Sequence, residues 1–229
     1  MKRFHGTALA AVLALAGLGL WSGTAPATLT LFAAYAQEAT TTPAPTPPPA
    51  TEAVPVVEDM AIGNPDATVT MIEYASYTCP HCAAFHAEVW KPLKADYIDT
   101  GKVRFIFREV YFDRYGLWAA MTARCGGPER YFGISSLLLE GQKEWAASED
   151  PAVVVANLKT IGRTAGLDDT ALAACLDDGA KAQAMVTAYQ TNATADAVEG
   201  TPTIIINGTK HANMTYADLK VILDAELAK

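Results

Sequence analysis

Only four cysteines occur in 229 residues, and the chain has no second C-x-x-C and no H-x-x-x-H. Structural zinc normally takes four Cys or His ligands, so no metal site is expected. Runs of Lys or Arg are also missing. With 17 basic against 25 acidic residues and a net charge of −8, the surface is poorly suited to neutralising phosphates, and no nucleic-acid partner is expected. No internal repeat is evident, and beyond the N-terminus no segment is long and apolar enough to span a bilayer.

The N-terminus is a different case. "MKRFHGTALAAVLALAGLGLW" sets a basic start before an apolar run, and no charged residue falls between Arg3 and Glu38. Ala34 and Ala36 supply the small-x-small pattern of a cleavage site, so residues 1–36 read as an export signal cut before Gln37. An uncleaved membrane anchor is the competing reading. "EATTTPAPTPPPATEAVPVVED" follows. Its prolines favour extended chain, so residues 37–57 are expected to be a disordered, semi-rigid tether. The folded part is then 58–229, a size suited to one domain. Export would put the cysteines where disulfides persist.

"ATVTMIEYAS" is rich in β-branched and apolar residues and predicts a buried strand leading into "SYTCPHCAAFHAEVW". There Pro80 falls at the first helical position, where its missing N–H costs nothing. Cys82, Phe85, Val89, Leu93 and Tyr97 recur at helical spacing, and Pro92 should kink or interrupt the helix. "GKVRFIFREV" is the next strand, completing a parallel βαβ unit. From about 113 to 197 the pattern is helical, punctuated by Gly and Pro. "TPTIIINGTKHAN" returns to β with Asn207-Gly208 as a type I′ turn signal. "TYADLKVILDAEL" is a closing helix with Thr215 as N-cap.

The sharpest feature is Cys79 and Cys82. Haem attachment needs a His after the second cysteine, and Ala83 stands there. A static staple between helix positions i and i+3 would constrain almost nothing. Redox chemistry fits. At the first turn of a helix Cys79 faces unsatisfied N–H groups and the positive end of the dipole, which favour the thiolate, the species that attacks disulfides. Cys82 lies one turn inward as a resolving thiol, and His81 adds a possible cation beside Cys79. His86 and His211 read as surface histidines. Trp90, Trp118 and Trp145 read as core or groove-lining aromatics.

With "CPHC" after a strand, a helical insertion after a βαβ unit and "GTPT" before the final strands, residues 59–229 resemble the DsbA-like thiol:disulfide oxidoreductases of the thioredoxin superfamily. The resemblance implies an α/β fold, a thioredoxin core with an inserted helical domain. It implies that Pro202 is a cis-proline facing the active-site disulfide and that Thr201 and Pro202 position substrate. Thr201 departs from the valine of the family's best-known strong oxidant, which bears on the direction of electron flow. Glu73 matches an acid beneath the buried cysteine that relays protons; a strand-edge ion pair is its ordinary alternative. For Cys125 and Cys175, a disulfide joining two helices is expected over two free thiols.

The function expected on this basis is an exported dithiol oxidase that donates the Cys79–Cys82 disulfide to newly translocated proteins. It would need no dissociable cofactor, act as a periplasmic monomer and be reoxidised by a quinone-linked membrane thiol oxidase. A reductase or isomerase on the same scaffold is the nearer rival, and a thiolate metal-binding module the remoter one.

Overall fold

The computed structural model describes residues 56–229. The expected export signal and nearly all of the tether lie outside the described residues.

Among the described residues five strands form one sheet in the order β1-β3-β2-β4-β5. At its centre β2 (Val69–Ala75) runs parallel to β3 (Val103–Glu109) and antiparallel to β4 (Thr203–Ile206). Val69, Met71, Ala75, Val103 and Phe105 are fully buried. Each large side chain of this kind contributes about 1.5–3 kcal/mol. The near-continuous apolar run of β2 is what a strand covered on both faces requires. β1 (Met60–Ile62) pairs antiparallel with β3 at one edge. Three residues are too few to show a periodicity, so sequence reasoning missed it. At the other edge β5 (Thr209–His211) returns from β4. The turn between them places Asn207 at φ 45° and Gly208 at φ 82°, the double positive φ of a type I′ hairpin.

The helical path after β2 begins with α1 (Pro80–Phe85), passes through α2 (Lys91–Leu93) and ends at Ile98. His86–Trp90 and Lys94–Ile98 adopt the wider π spacing. Pro92 thus interrupts the regular α pattern without ending the helix: it has no N–H to offer the preceding turn, and a widened turn accommodates it. Cys82, Phe85, Val89, Leu93 and Tyr97 all face the core.

Six helices lie between β3 and β4: α3 (Arg114–Cys125), α4 (Gly127–Glu140), α5 (Gln142–Trp145), α6 (Pro151–Thr164), α7 (Asp169–Asp177) and α8 (Gly179–Ala195). Aspartates 113, 150, 168 and 178 cap α3, α6, α7 and α8 by accepting from first-turn N–H groups. A disulfide between Cys125 and Cys175 joins α3 to α7. Thr215 caps the closing helix α9 (Tyr216–Leu227) through the Asp218 N–H. Among the described residues no helix is long and apolar enough to cross a membrane.

The insertion meets the sheet through a buried polar chain. Arg124 gives two hydrogen bonds, of 2.6 and 2.7 Å, to the Glu109 carboxylate, which also accepts from the Tyr131 hydroxyl. Tyr77, just before the cysteine pair, bonds Tyr131 and Ser135. A buried charge pair is tolerable only when its remaining lone pairs are satisfied in this way.

Candidate active site

Cys79 is the N-cap residue of α1, with extended backbone (φ −84°, ψ 119°), and Pro80 occupies the first helical position. No side chain caps this helix, and the backbone N–H groups of His81 and Cys82 at its start act on the Cys79 sulfur. Cys79 is half-buried and Cys82 fully buried; both are free thiols. Among the described residues no three His, Cys, Asp or Glu side chains gather as metal ligands.

The two sulfurs are pushed in opposite directions. Burial alone raises the Cys79 thiol, but hydrogen bonds from Thr201, the Cys82 backbone and side chain and the His81 backbone outweigh it and leave the thiol below its ordinary 9.0. Thr201 acts in two ways. Its carbonyl accepts from the Cys79 thiol at 3.6 Å, which favours the protonated form, while its hydroxyl favours the thiolates of both cysteines. Cys82 is raised, first by burial and then by the charge of Glu73, against weaker help from Thr201 and Ser76. His81 is exposed; what bears on the sulfur is its backbone N–H.

Glu73 lies mid-sheet, level with Phe107 on β3 and Ile204 on β4. It is buried, and burial pushes its carboxyl up to about 8. Among the described residues it has neither a hydrogen-bond nor an ion-pair partner, so the strand-edge ion pair is not what the fold builds.

The peptide bond between Thr201 and Pro202 is cis, and Thr201 is the residue of this loop that reaches the Cys79 sulfur. Opposite it, the loop before α1 is tied to the insertion. Thr78 donates to Asp113 at 2.7 Å, and a Cβ on Gly116 would stand 3.3 Å from the Ser76 and Thr78 hydroxyls, a close approach suited to glycine. Gln142 donates to the carbonyls of Tyr77 at 2.7 Å and Cys79 at 3.0 Å. Sequence reasoning missed Asp113 and Gln142 here. Asp113 carried a signal, as an N-cap residue before a helical run; Gln142 carried none.

His86 corrects the surface reading. It is buried, stacks on Trp90 at 5.7 Å, and its Nε2 has no hydrogen-bond partner. Burial lowers it to about 4. At neutral pH it is therefore uncharged, and its 3.9 Å approach to Glu140 is no ion pair. The histidine shares with Glu73 a cavity of about 10 Å³, room for roughly one water. Trp90 lines the same cavity, Trp145 is core and Trp118 is half-buried beside Tyr115.

Comparison with known proteins agrees with this geometry. A family model described as "Thioredoxin" matches residues 56–225. A Rickettsia bellii protein, named provisionally as a protein-disulfide oxidoreductase, is 30% identical over 167 residues, covering 72% of this chain and 63% of that protein. "Disulfide bond formation protein D" of Bacillus subtilis is 26% identical over 178 residues, covering 72% of this chain and 76% of that protein. The crystal structure of alpha-DsbA1 from Wolbachia pipientis is 28% identical with a TM-score of 0.70, covering 76% of this chain and 94% of that one. The chain spans about three fifths of the length of the Rickettsia relatives it matches.

Proposed function

The chain belongs to the thioredoxin superfamily and is DsbA-like within it, and from that premise we propose that it is a protein-disulfide oxidoreductase working in the oxidising direction. The observation that carries the reading is the asymmetry of the pair. A half-exposed sulfur whose thiolate is favoured stands one helical turn from a buried sulfur whose thiol is favoured.

In the oxidised protein a substrate thiolate attacks the Cys79 sulfur. The Cys79–Cys82 bond breaks, a mixed disulfide forms, and Cys82 leaves as a thiolate that takes a proton from Glu73. A second substrate thiolate then attacks the substrate sulfur of the mixed disulfide, and Cys79 departs as the stabilised thiolate. Two electrons pass from the substrate dithiol to the cysteine pair, which ends reduced. Run backwards, Cys82 resolves the mixed disulfide, with Glu73 taking its proton. The helix N-terminus, beginning at Pro80, and the His81 backbone hold the Cys79 charge. Thr201 and Pro202 receive an extended substrate chain, proline's missing N–H leaving that edge open to main-chain pairing. The redox centre is the disulfide itself, with no dissociable cofactor.

The substrates in this reading are reduced, newly exported proteins, the compartment is the periplasm, and a quinone-linked membrane thiol oxidase restores the disulfide. The basic-then-apolar N-terminus and the Cys125–Cys175 bridge support that placement. A reductase is the second reading, favoured by Thr201 standing where the family's best-known strong oxidant carries valine. Equilibration with glutathione separates the two, since an oxidase must be the more oxidising couple.

Trapping tests the division of labour. Cys82→Ser should accumulate mixed disulfides with reduced substrate proteins, and Cys79→Ser almost none. Equal trapping by both variants would overturn the assignment.

A further inference from the structure

Gln142 opens α5, a four-residue helix that Trp145 anchors: the indole is buried and donates to the Leu138 carbonyl at 2.7 Å. From this anchored position the buried Gln142 amide spends both its hydrogens on the loop before α1, one on the Tyr77 carbonyl and one on the Cys79 carbonyl. The Cys79 carbonyl already accepts from the Cys82 and Ala83 N–H groups at 3.1 and 3.2 Å. The amide is therefore not needed to satisfy that carbonyl, yet it is held against it.

Its effect is mechanical and electrostatic. Binding two carbonyls on either side of Thr78 fixes the rotation of both peptide units. That rotation holds Cys79 in the extended N-cap conformation that turns its sulfur toward the helical N–H groups and Thr201. Donation to the Cys79 carbonyl also draws negative charge away from the sulfur's own residue.

We propose that Gln142 is the positioning residue through which the helical insertion sets the reactivity of Cys79. The inference rests on the reading of Cys79 as the nucleophile. The titratable group acting on that sulfur is Cys82 on α1, which Glu73 on β2 acts on in turn, and Gln142 bonds to the side chain of neither. The insertion thereby contributes to the redox centre without lending it a reacting group.

Gln142→Met keeps the length of the side chain and removes both donors. In the reduced full-length protein, Cys79 thiolate absorbance should then titrate at higher pH than in the wild type. The equilibrium constant for oxidising glutathione should fall roughly 2- to 10-fold, the worth of one hydrogen bond. Asn157→Ala removes a 3.4 Å bond from α6 to the Trp145 carbonyl and should leave both readouts unchanged. A folded Gln142→Met protein with unaltered titration and equilibrium would overturn the proposal. Should that variant not fold, the wild-type Gln142 side-chain amide resonances decide. They should shift with the Cys79 titration, and resonances that do not follow it would overturn the proposal equally. An ordinary Cys79 titration in the wild type would instead overturn the nucleophile reading itself.

Discussion

Cys79 and Cys82 lie three residues apart at the start of α1, whereas Cys125 and Cys175 are 50 residues apart on α3 and α7. The first pair closes a loop too short to remove much freedom from the unfolded chain, so bonding it contributes little to stability and can be reversible. What distinguishes its members is environment: one sulfur collects N–H and O–H donors, the other is buried above a carboxyl. The second pair closes a long loop between two packed helices, where the constraint on the unfolded chain is large and no helix N-terminus activates either sulfur. The same functional group becomes a reagent in one place and a fastener in the other, and loop length and local donors make the difference.

Replacing both Cys125 and Cys175 with Ala should give the largest effect on stability, a loss of about 4 kcal/mol in the chain-entropy picture. Denaturant unfolding at neutral pH measures it. A loss as small as that from replacing both Cys79 and Cys82 would erase the contrast between the pairs.

Glu73 sharpens the comparison from the redox side. Its carboxyl is raised from 4.5 to about 8, so between those values the folded protein keeps a proton that the unfolded chain has released. Stability should therefore fall as pH rises through that window. Glu73→Gln, which has the shape of the protonated acid, should be more stable than the wild type at pH 7 by about 3 kcal/mol. The difference should vanish below about pH 4.5. Unfolding curves at several pH values check it, and an equal gain at pH 4 would point to packing instead. The same variant should slow resolution of the mixed disulfide by Cys82.

The smallest effect is the redox-linked one. The folded Cys79 thiol lies below its ordinary 9.0. For an acid depressed on folding, the stabilisation is fully present above the unfolded value and is lost as pH falls through the folded one. The reduced protein should gain stability relative to the oxidised form as pH rises between those two values. Measuring both forms with Cys125–Cys175 kept oxidised tests this. A difference flat with pH would mean an ordinary thiol and would favour the reductase reading.

What could be read from the sequence was local. Pro80 after Cys79, Asn207-Gly208 and the Thr215 cap each dictate backbone conformation within a few residues, and each is found where the pattern puts it. The redox pair was legible for the same reason: a cysteine at a helix start meets N–H groups supplied by its own chain. Glu73 was legible as an anomaly, a carboxylate in an apolar strand. Its solitude required β3 and β4 on either side and the aromatic side chains of Phe105, Phe107 and Phe132 around it. His86 failed because polarity argued for the surface, and only α4 packing over it, with Phe132, Ser135 and Leu139 lining its cavity, decided burial. Gln142 had no signal at all, since its two bonds reach back 63 and 65 residues. The sequence by itself therefore determined which sulfur atoms could be reactive, because the donors that activate a helix-start thiol belong to the same short segment. The tertiary structure alone decided how strongly each would be pushed, because burial, the Thr201 hydroxyl and the Gln142 amide all arrive from distant parts of the chain.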